Sequence, residues 1–276
     1  MRGLLDPKMD FVFKNIFGNE NNPKILISFL NAVLKPENLI TGVEIKDTDL
    51  NNDNIADRYS KIDIKAMTSN EEINIMLRLE SELNTIEEIL YNYSSFCLEQ
   101  LSDGEDDNTL KRAVCINILN FKYLKAKGFH SVYRMKEIQT NEELTDVEEI
   151  HFIEIPKLED SSDKKEDMLV AWIEFLKNPE SEKVRSFEMN IDEIRVAKDE
   201  LVKMSNDDAQ RELYEMRSNA LRNRISALNA AKQKGETNSK LKIAKALLDV
   251  LDVETIAEKV GLSVEKVKSL KEYKDI

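Results

Sequence analysis

Between Lys61 and Ile75 the chain drops helical spacing for a two-residue one, and few architectures accommodate that change. Lys61-Ile62-Asp63-Ile64-Lys65-Ala66 alternates polar with apolar, and Glu72-Ile73-Asn74-Ile75 does the same. Successive side chains on a strand point to opposite faces, so each run has one apolar face to bury. Thr68-Ser69-Asn70 between them is turn chemistry, and the segment reads as a β-hairpin.

The flanks are helical. Phe11, Phe13, Ile16 and Phe17 open one helix, and Gly18 with the Asn-rich stretch after it ends that helix. Ile25, Leu26, Phe29, Leu30, Val33 and Leu34 form the stripe of a second, which Pro36 stops. Thr85 to Leu101 is a third, with Ile86, Leu90, Tyr93 and Cys97 on one side. Ala113–Leu119 and His151–Ile155 are short apolar runs of strand type. A hairpin, a helix and two further strands make an α/β fold: a small mixed β-sheet flanked by helices on both faces. With 7 Gly and 5 Pro in 276 residues, long regular elements should dominate.

After Pro156 the pattern becomes helical, giving a helical C-terminal extension. Asp160–Asp167 is a charged loop. Met168–Leu176 is a short helix carrying Trp172 as a core or interface anchor. Ile191–Ala231 is helical with few breaks. Lys232, Lys234, Lys240, Lys242 and Lys245 flank a Gly-Glu-Thr-Asn-Ser run at 235–239 without apolar period, which suggests a flexible basic tether. The tail reads helix, turn, helix, with Ser263 as an N-cap. The expected divisions are an α/β core at 1–158, a packed helical extension at 159–234, and a tethered small helical unit at 235–276.

The net charge of −13 limits any nucleic-acid contact to a local basic face, because phosphates are met by Lys and Arg. Cys97 and Cys115 are the only cysteines and are expected as buried thiols rather than a disulfide. No basic-then-apolar leader is read, and no apolar run reaches the ~18 residues of a membrane span. The expectation is a cytoplasmic chain with no membrane partner. His130 and His151 are too few for a zinc cluster, and no Gly-rich phosphate loop or nucleophile constellation is legible.

Several of these segments together resemble the recombination-promoting nuclease / putative transposase family of the PD-(D/E)XK nuclease superfamily. They are Leu5-Asp6-Pro7-Lys8-Met9-Asp10-Phe11 through Gly18, Ile27 to Leu34, Lys61 to Ala66, Gln100 to Asp106, His151-Phe152-Ile153-Glu154-Ile155-Pro156-Lys157, and Ile256 to Ser263. The resemblance implies a PD-(D/E)XK nuclease-like core that hydrolyses DNA phosphodiesters with Mg²⁺. In that superfamily an Asp on one hairpin strand and a Glu-x-Lys or Glu-x-Gln on the next hold the metal and orient the attacking water. Asp63 fills the Asp position. Asp10 matches an additional acidic residue of the family, with a helix-cap or surface role as the alternative.

On the second strand the sequence departs from that pattern. Where Ile-Asn-Ile-Glu-x-Gln is expected, it reads Ile73-Asn74-Ile75-Met76-Leu77-Arg78. A thioether is a poor Mg²⁺ ligand. Arg is permanently charged and accepts no hydrogen bond, so it cannot hold a water as Gln does. The exchange moves the pocket by about two charge units toward positive. Three readings stay open. The site has lost metal hydrolysis and Arg78 pairs with Asp63 or with a DNA phosphate; or Glu80, on the same strand face, has taken over as metal ligand beside Asp63; or the register differs. The expected function is therefore a DNA-processing nuclease-like protein weakened or inactive in catalysis. The alternative is a non-catalytic pseudonuclease that binds nucleic acid or a partner subunit. DNA is the expected partner, with a homo-oligomer or an active related nuclease subunit as further candidates.

Overall fold

A computed structural model describes residues 3–46, 61–69, 71–79, 85–102, 111–160 and 167–272, with backbone alone at 46, 61–63, 99–102, 160 and 271–272. The expected hairpin forms: β2 (Lys61–Met67) pairs antiparallel with β3 (Glu71–Arg78), and Asp63 lies opposite Met76. At the turn, Thr68 N–H and Oγ1–H both donate to the Glu71 carbonyl. The α3 helix (Thr85–Ser102) then carries the chain over to β4 (Arg112–Leu119), which pairs parallel with β3. A parallel neighbour requires such a crossover, and here a helix supplies it.

Three further strands complete a six-stranded sheet ordered β1-β2-β3-β4-β6-β5. They are β1 (Glu44–Lys46), β5 (His130–Tyr133) and β6 (Glu148–Glu154). Only β4–β6 and β3–β4 are parallel among these pairs, so the sheet is mixed, as expected. Central β3 and β4 are buried almost throughout, because helices cover both faces.

On one face α3 packs Tyr93 and Phe96 against Met76, Ala113 and Cys115, and Ile89 against Leu119 and Phe152. Ile64, Ile73, Ile75, Val114 and Ile116 on the other face are fully buried. There α1 (Asp10–Phe17) meets β2, and α2 (Lys24–Leu34), α4 (Met168–Lys177) and α6 (Asp192–Asn206) build outward from it. Trp172 is the largest fully buried side chain. Its ring meets Phe17, Phe29 and Phe175 edge-on, and its indole N–H donates to Ser28 Oγ at 3.2 Å. It is the core anchor that the sequence implied. Neither cysteine is in a disulfide; Cys115 is buried, while Cys97 is only half-buried on the flank of α3.

Beyond α5 (Glu182–Glu188), the helical stretch expected from Ile191 breaks at Asp207. It then continues as the 40-residue α7 (Asp208–Leu247). This corrects the expected tether: Gly235 and its polar neighbours are helical. One Gly costs about 1 kcal/mol in a helix interior, and the Ala, Lys, Gln and Glu around it offset that. The tail does form helix, turn, helix: α8 (Val253–Val260), Gly261 in the left-handed region, and α9 (Val264–Glu272), with Ser263 Oγ accepting from Lys266 N–H. Ala244, Ile256, Ala257, Val267 and Leu270 form its core. The chain divides into two compact units, Met1–Arg217 and Ser218–Ile276.

Trp172→Ala should cost about 3–5 kcal/mol, since it opens a cavity among three aromatic rings. Urea unfolding followed by circular dichroism will show this as a lowered midpoint, and a loss below about 1 kcal/mol would refute the anchor role.

Candidate functional site

Asn74, Met76 and Arg78 sit two apart on β3 and therefore share the α3-facing side. The parallel register sets Cys115, Asn117 and Leu119 of β4 beside them, and the antiparallel register sets Asp63 beside Met76. The hairpin thus delivers the backbone juxtaposition that the sequence implied. The side chain of Asp63, and Glu80 altogether, lie outside the described residues.

Met76 is 3% exposed and packs with Tyr93, Phe96, Ala113 and Cys115. Its Sδ has the Asn92 side-chain amide at 4.0 Å. At the position where a carboxylate would face a metal, this chain has extended its apolar core. Arg78 is 2% exposed. Its Nη1 meets Glu88 Oε2 on the first turn of α3 at 3.1 Å. Its Nε and Nη2, together with Asn74 Oδ1 and Asn117 Oδ1, are buried with no hydrogen-bond partner among the described residues. Asn117 Nδ2 is satisfied by the His151 carbonyl at 3.2 Å. A buried polar group without a partner costs about 1–3 kcal/mol, and among the described residues this strip holds four such atoms.

Asp10 lies at the start of α1. Its Oδ2 is ion-paired with Arg217, while Oδ1 is buried without a partner among the described residues. The Arg217 guanidinium also lies 5.4 Å from the centre of the Phe11 ring. The acidic position that the resemblance highlighted is therefore neutralised by an internal cation.

Mg²⁺ takes hard oxygen donors in an octahedron. At the two motif positions the described donors are a thioether in an apolar cluster and a guanidinium held by Glu88, and neither fits such an ion. Among the described residues no group of three or more His, Cys, Asp or Glu could hold a metal.

Sequence reasoning missed Glu88. A carboxylate in the first turn of a helix reads as a macrodipole partner; only the crossover over β3 turns it toward Arg78. It also missed that the two histidines meet. His130 Nε2 lies 2.9 Å from His151 Nδ1, and His151 Nε2 lies 2.6 Å from Glu149 Oε1. Burial raises the Glu149 pKa, but the His151 hydrogen bond and charge, with Arg134 and Arg112 beyond them, outweigh it and hold the carboxyl at about 2. With Glu149 ionised, His151 Nε2 is its hydrogen-bond donor, and the direction of the His130–His151 hydrogen bond follows the tautomer. Burial, then His151 and Lys35, push His130 down to about 4.

A hairpin closed by a helical crossover onto a parallel strand, preceded by α1 and covered on both faces, is a PD-(D/E)XK nuclease-like α/β fold. A protein-family model described as PD-(D/E)XK nuclease family transposase matches residues 7–231, and the chain belongs to that family. No curated protein and no solved structure matches it. No helix among the described residues is long and apolar enough to cross a membrane.

Two expectations follow. Glu88→Gln leaves the Arg78 charge buried beside a neutral amide and should cost about 3 kcal/mol, whereas Glu88→Gln with Arg78→Met should recover most of it. Equal loss in single and double variants, measured in urea, would show that the pair is not coupled. For His130, a folded pKa below the unfolded value means that protons favour the unfolded chain. Stability is therefore complete above about pH 6.5 and falls as pH drops toward 4. The urea midpoint of wild type should decline across that window, and that of His130→Gln should decline less; parallel curves would refute the assignment.

Proposed function

We propose that this chain is a DNA-processing, nuclease-like protein of the PD-(D/E)XK type whose metal-dependent hydrolysis of phosphodiesters is lost or greatly weakened. The observation that carries the reading is the burial of both departed motif positions. Met76 is part of a core cluster, and Arg78 is an internal cation neutralised by Glu88. Neither can exchange its present contacts for a hydrated Mg²⁺ without unpacking α3 from the sheet. Asp10, occupied by Arg217, supports the same reading.

What the fold keeps is a scaffold of the family's shape. Hydrolysis would need carboxylates to bind the ion and a neutral acceptor to orient water. Here the second strand offers a fixed cation and a thioether. Substrate contact without turnover is the outcome to which this chemistry leads, with DNA as the partner implied by the family.

A strand-breakage assay with Mg²⁺ and with Mn²⁺ tests this. Wild type should show little cleavage with either ion. Met76→Glu with Arg78→Gln should raise cleavage roughly ten-fold or more, and each single change should raise it less, because groups that act as a unit are not additive. Circular dichroism will confirm that the variants are folded. Strong Mg²⁺-dependent cleavage by wild type that disappears in Glu80→Ala would overturn the proposal and establish the Glu80 carboxylate as the ligand.

A further inference from the structure

The nuclease-like unit does not account for α7. From Ser226 to Lys240 every residue of this helix is exposed, about 22 Å of helix at 1.5 Å per residue. From Asn229 to Lys240 no apolar side chain is larger than Ala. Helices of 12–15 residues are marginal in water without packing, and one that is polar on all sides bridges units or awaits a polar partner.

Its charge is equally distinctive. Between residues 226 and 247 there are five lysines (Lys232, Lys234, Lys240, Lys242 and Lys245) and one carboxylate, Glu236; Arg222 and Arg224 precede them. The five lysines are exposed, and none forms an ion pair with a described residue. Ser218–Ile276 holds 12 Lys/Arg and 8 Asp/Glu, a net +4 within a chain of −13, which leaves −17 on Met1–Arg217. A unit of −17 repels DNA as a whole. At about 100° per residue, Lys234, Lys242 and Lys245 fall within about 80° of arc while Lys232 and Lys240 point elsewhere, so these three form the basic face that an acidic chain must present to phosphates.

We propose that α7, from Arg222 to Lys245, is a docking surface for the phosphate backbone of duplex DNA. The proposal rests on the reading that the chain acts on DNA, and it adds where the duplex is held. Lys and Arg neutralise phosphates and release counterions. The neutral residues between them, Asn229, Gln233, Thr237, Asn238 and Ser239, are of the types that donate to phosphate oxygens. Ala227, Ala230 and Ala231 let a backbone approach closely. The remaining occupants of a long exposed helix fit less well. A coiled coil needs an apolar seam every 3.5 residues, and a membrane surface needs an apolar face; the stretch from Asn229 to Lys240 has neither. An acidic surface of a second copy is the rival that the test must separate.

The experiment uses the full chain and a fluorescein-labelled duplex, followed by anisotropy between about 50 and 200 mM KCl. Lys234→Gln, Lys242→Gln and Lys245→Gln are combined in one variant, since Gln is nearly as good a helix former as Lys. The expected result is a ten-fold or greater loss of affinity at the low-salt end. The slope of log affinity against log salt should flatten by about 2–3, close to 0.9 for each phosphate no longer neutralised. The triple Lys→Arg variant should bind like wild type. Unchanged affinity and slope in the Gln variant would overturn the proposal. So would absence of duplex binding by wild type, or salt-sensitive self-association, seen by sedimentation, that duplex does not compete away. The Gln-variant and sedimentation outcomes leave the cleavage gained by Met76→Glu with Arg78→Gln untouched, whereas absence of duplex binding by wild type also removes the DNA reading beneath the proposal, so the two failures are told apart.

Discussion

Because β3 is covered on both faces, each side chain from Ile73 to Arg78 must be acceptable in a nearly dry interior. Ile73, Ile75 and Leu77 meet that condition with hydrocarbon. Asn74, Met76 and Arg78, on the α3 side, meet it in three different ways. Asn74 leaves an acceptor unmet among the described residues, Met76 joins the aromatic cluster beneath α3, and Arg78 takes a carboxylate from that helix. The position of α3 follows in turn from topology, since a parallel β3–β4 pair can be connected only by a crossover. The contact between α3 and β3 is therefore both the structural centre of the sheet and, in the function proposed above, the place where a nuclease of this class would do its chemistry.

Those two roles compete. A metal site needs carboxylates that reach water and an ion, and so needs loose packing at one end of the hairpin. A Met and a paired Arg favour the closed arrangement instead, and the apolar burial they add stabilises the core. Arg is the costlier of the two. A buried ion pair roughly breaks even against an apolar pair of the same volume, and removal of one member is what destabilises. The Arg78–Glu88 pair is thus better understood as fixing how α3 sits on the sheet than as a source of net stability. The same applies to Asp10 and Arg217, which tie the first helix to the start of a later one.

The two units also differ in electrostatic character. Unit one concentrates carboxylates, several of them held by arginines: Glu71 and Glu149 by Arg112, Glu143 and Glu149 by Arg134. Unit two carries lysines on a helix whose middle is exposed on every side. Net charge governs encounter with a polyanion more than fold, so this uneven division bears on partners while leaving the architecture to hydrophobic pattern.

Much of the fold could be read directly. The two-residue alternation at 61–66 and 72–75 placed the hairpin, and the stripes at 25–34 and 85–101 placed two helices. The apolar runs at 113–119 and 151–155 placed the strands beside them. Edge strands β1 and β5 left no such trace, being three and four residues long and defined by the neighbour they pair with. The polar run around Gly235 carries turn-type residues without an apolar period and is helical all the same, because a helix is cooperative and absorbs a single Gly. At the site, the chemical departure at Met76 and Arg78 was legible from residue types and spacing alone, since both are local. The partners were not. Glu88 for Arg78, Arg217 for Asp10 and His130 for His151 lie 10, 207 and 21 residues apart. Local periodicity determines which face a side chain takes, but which distant group it meets is decided only when the sheet closes and the helices dock.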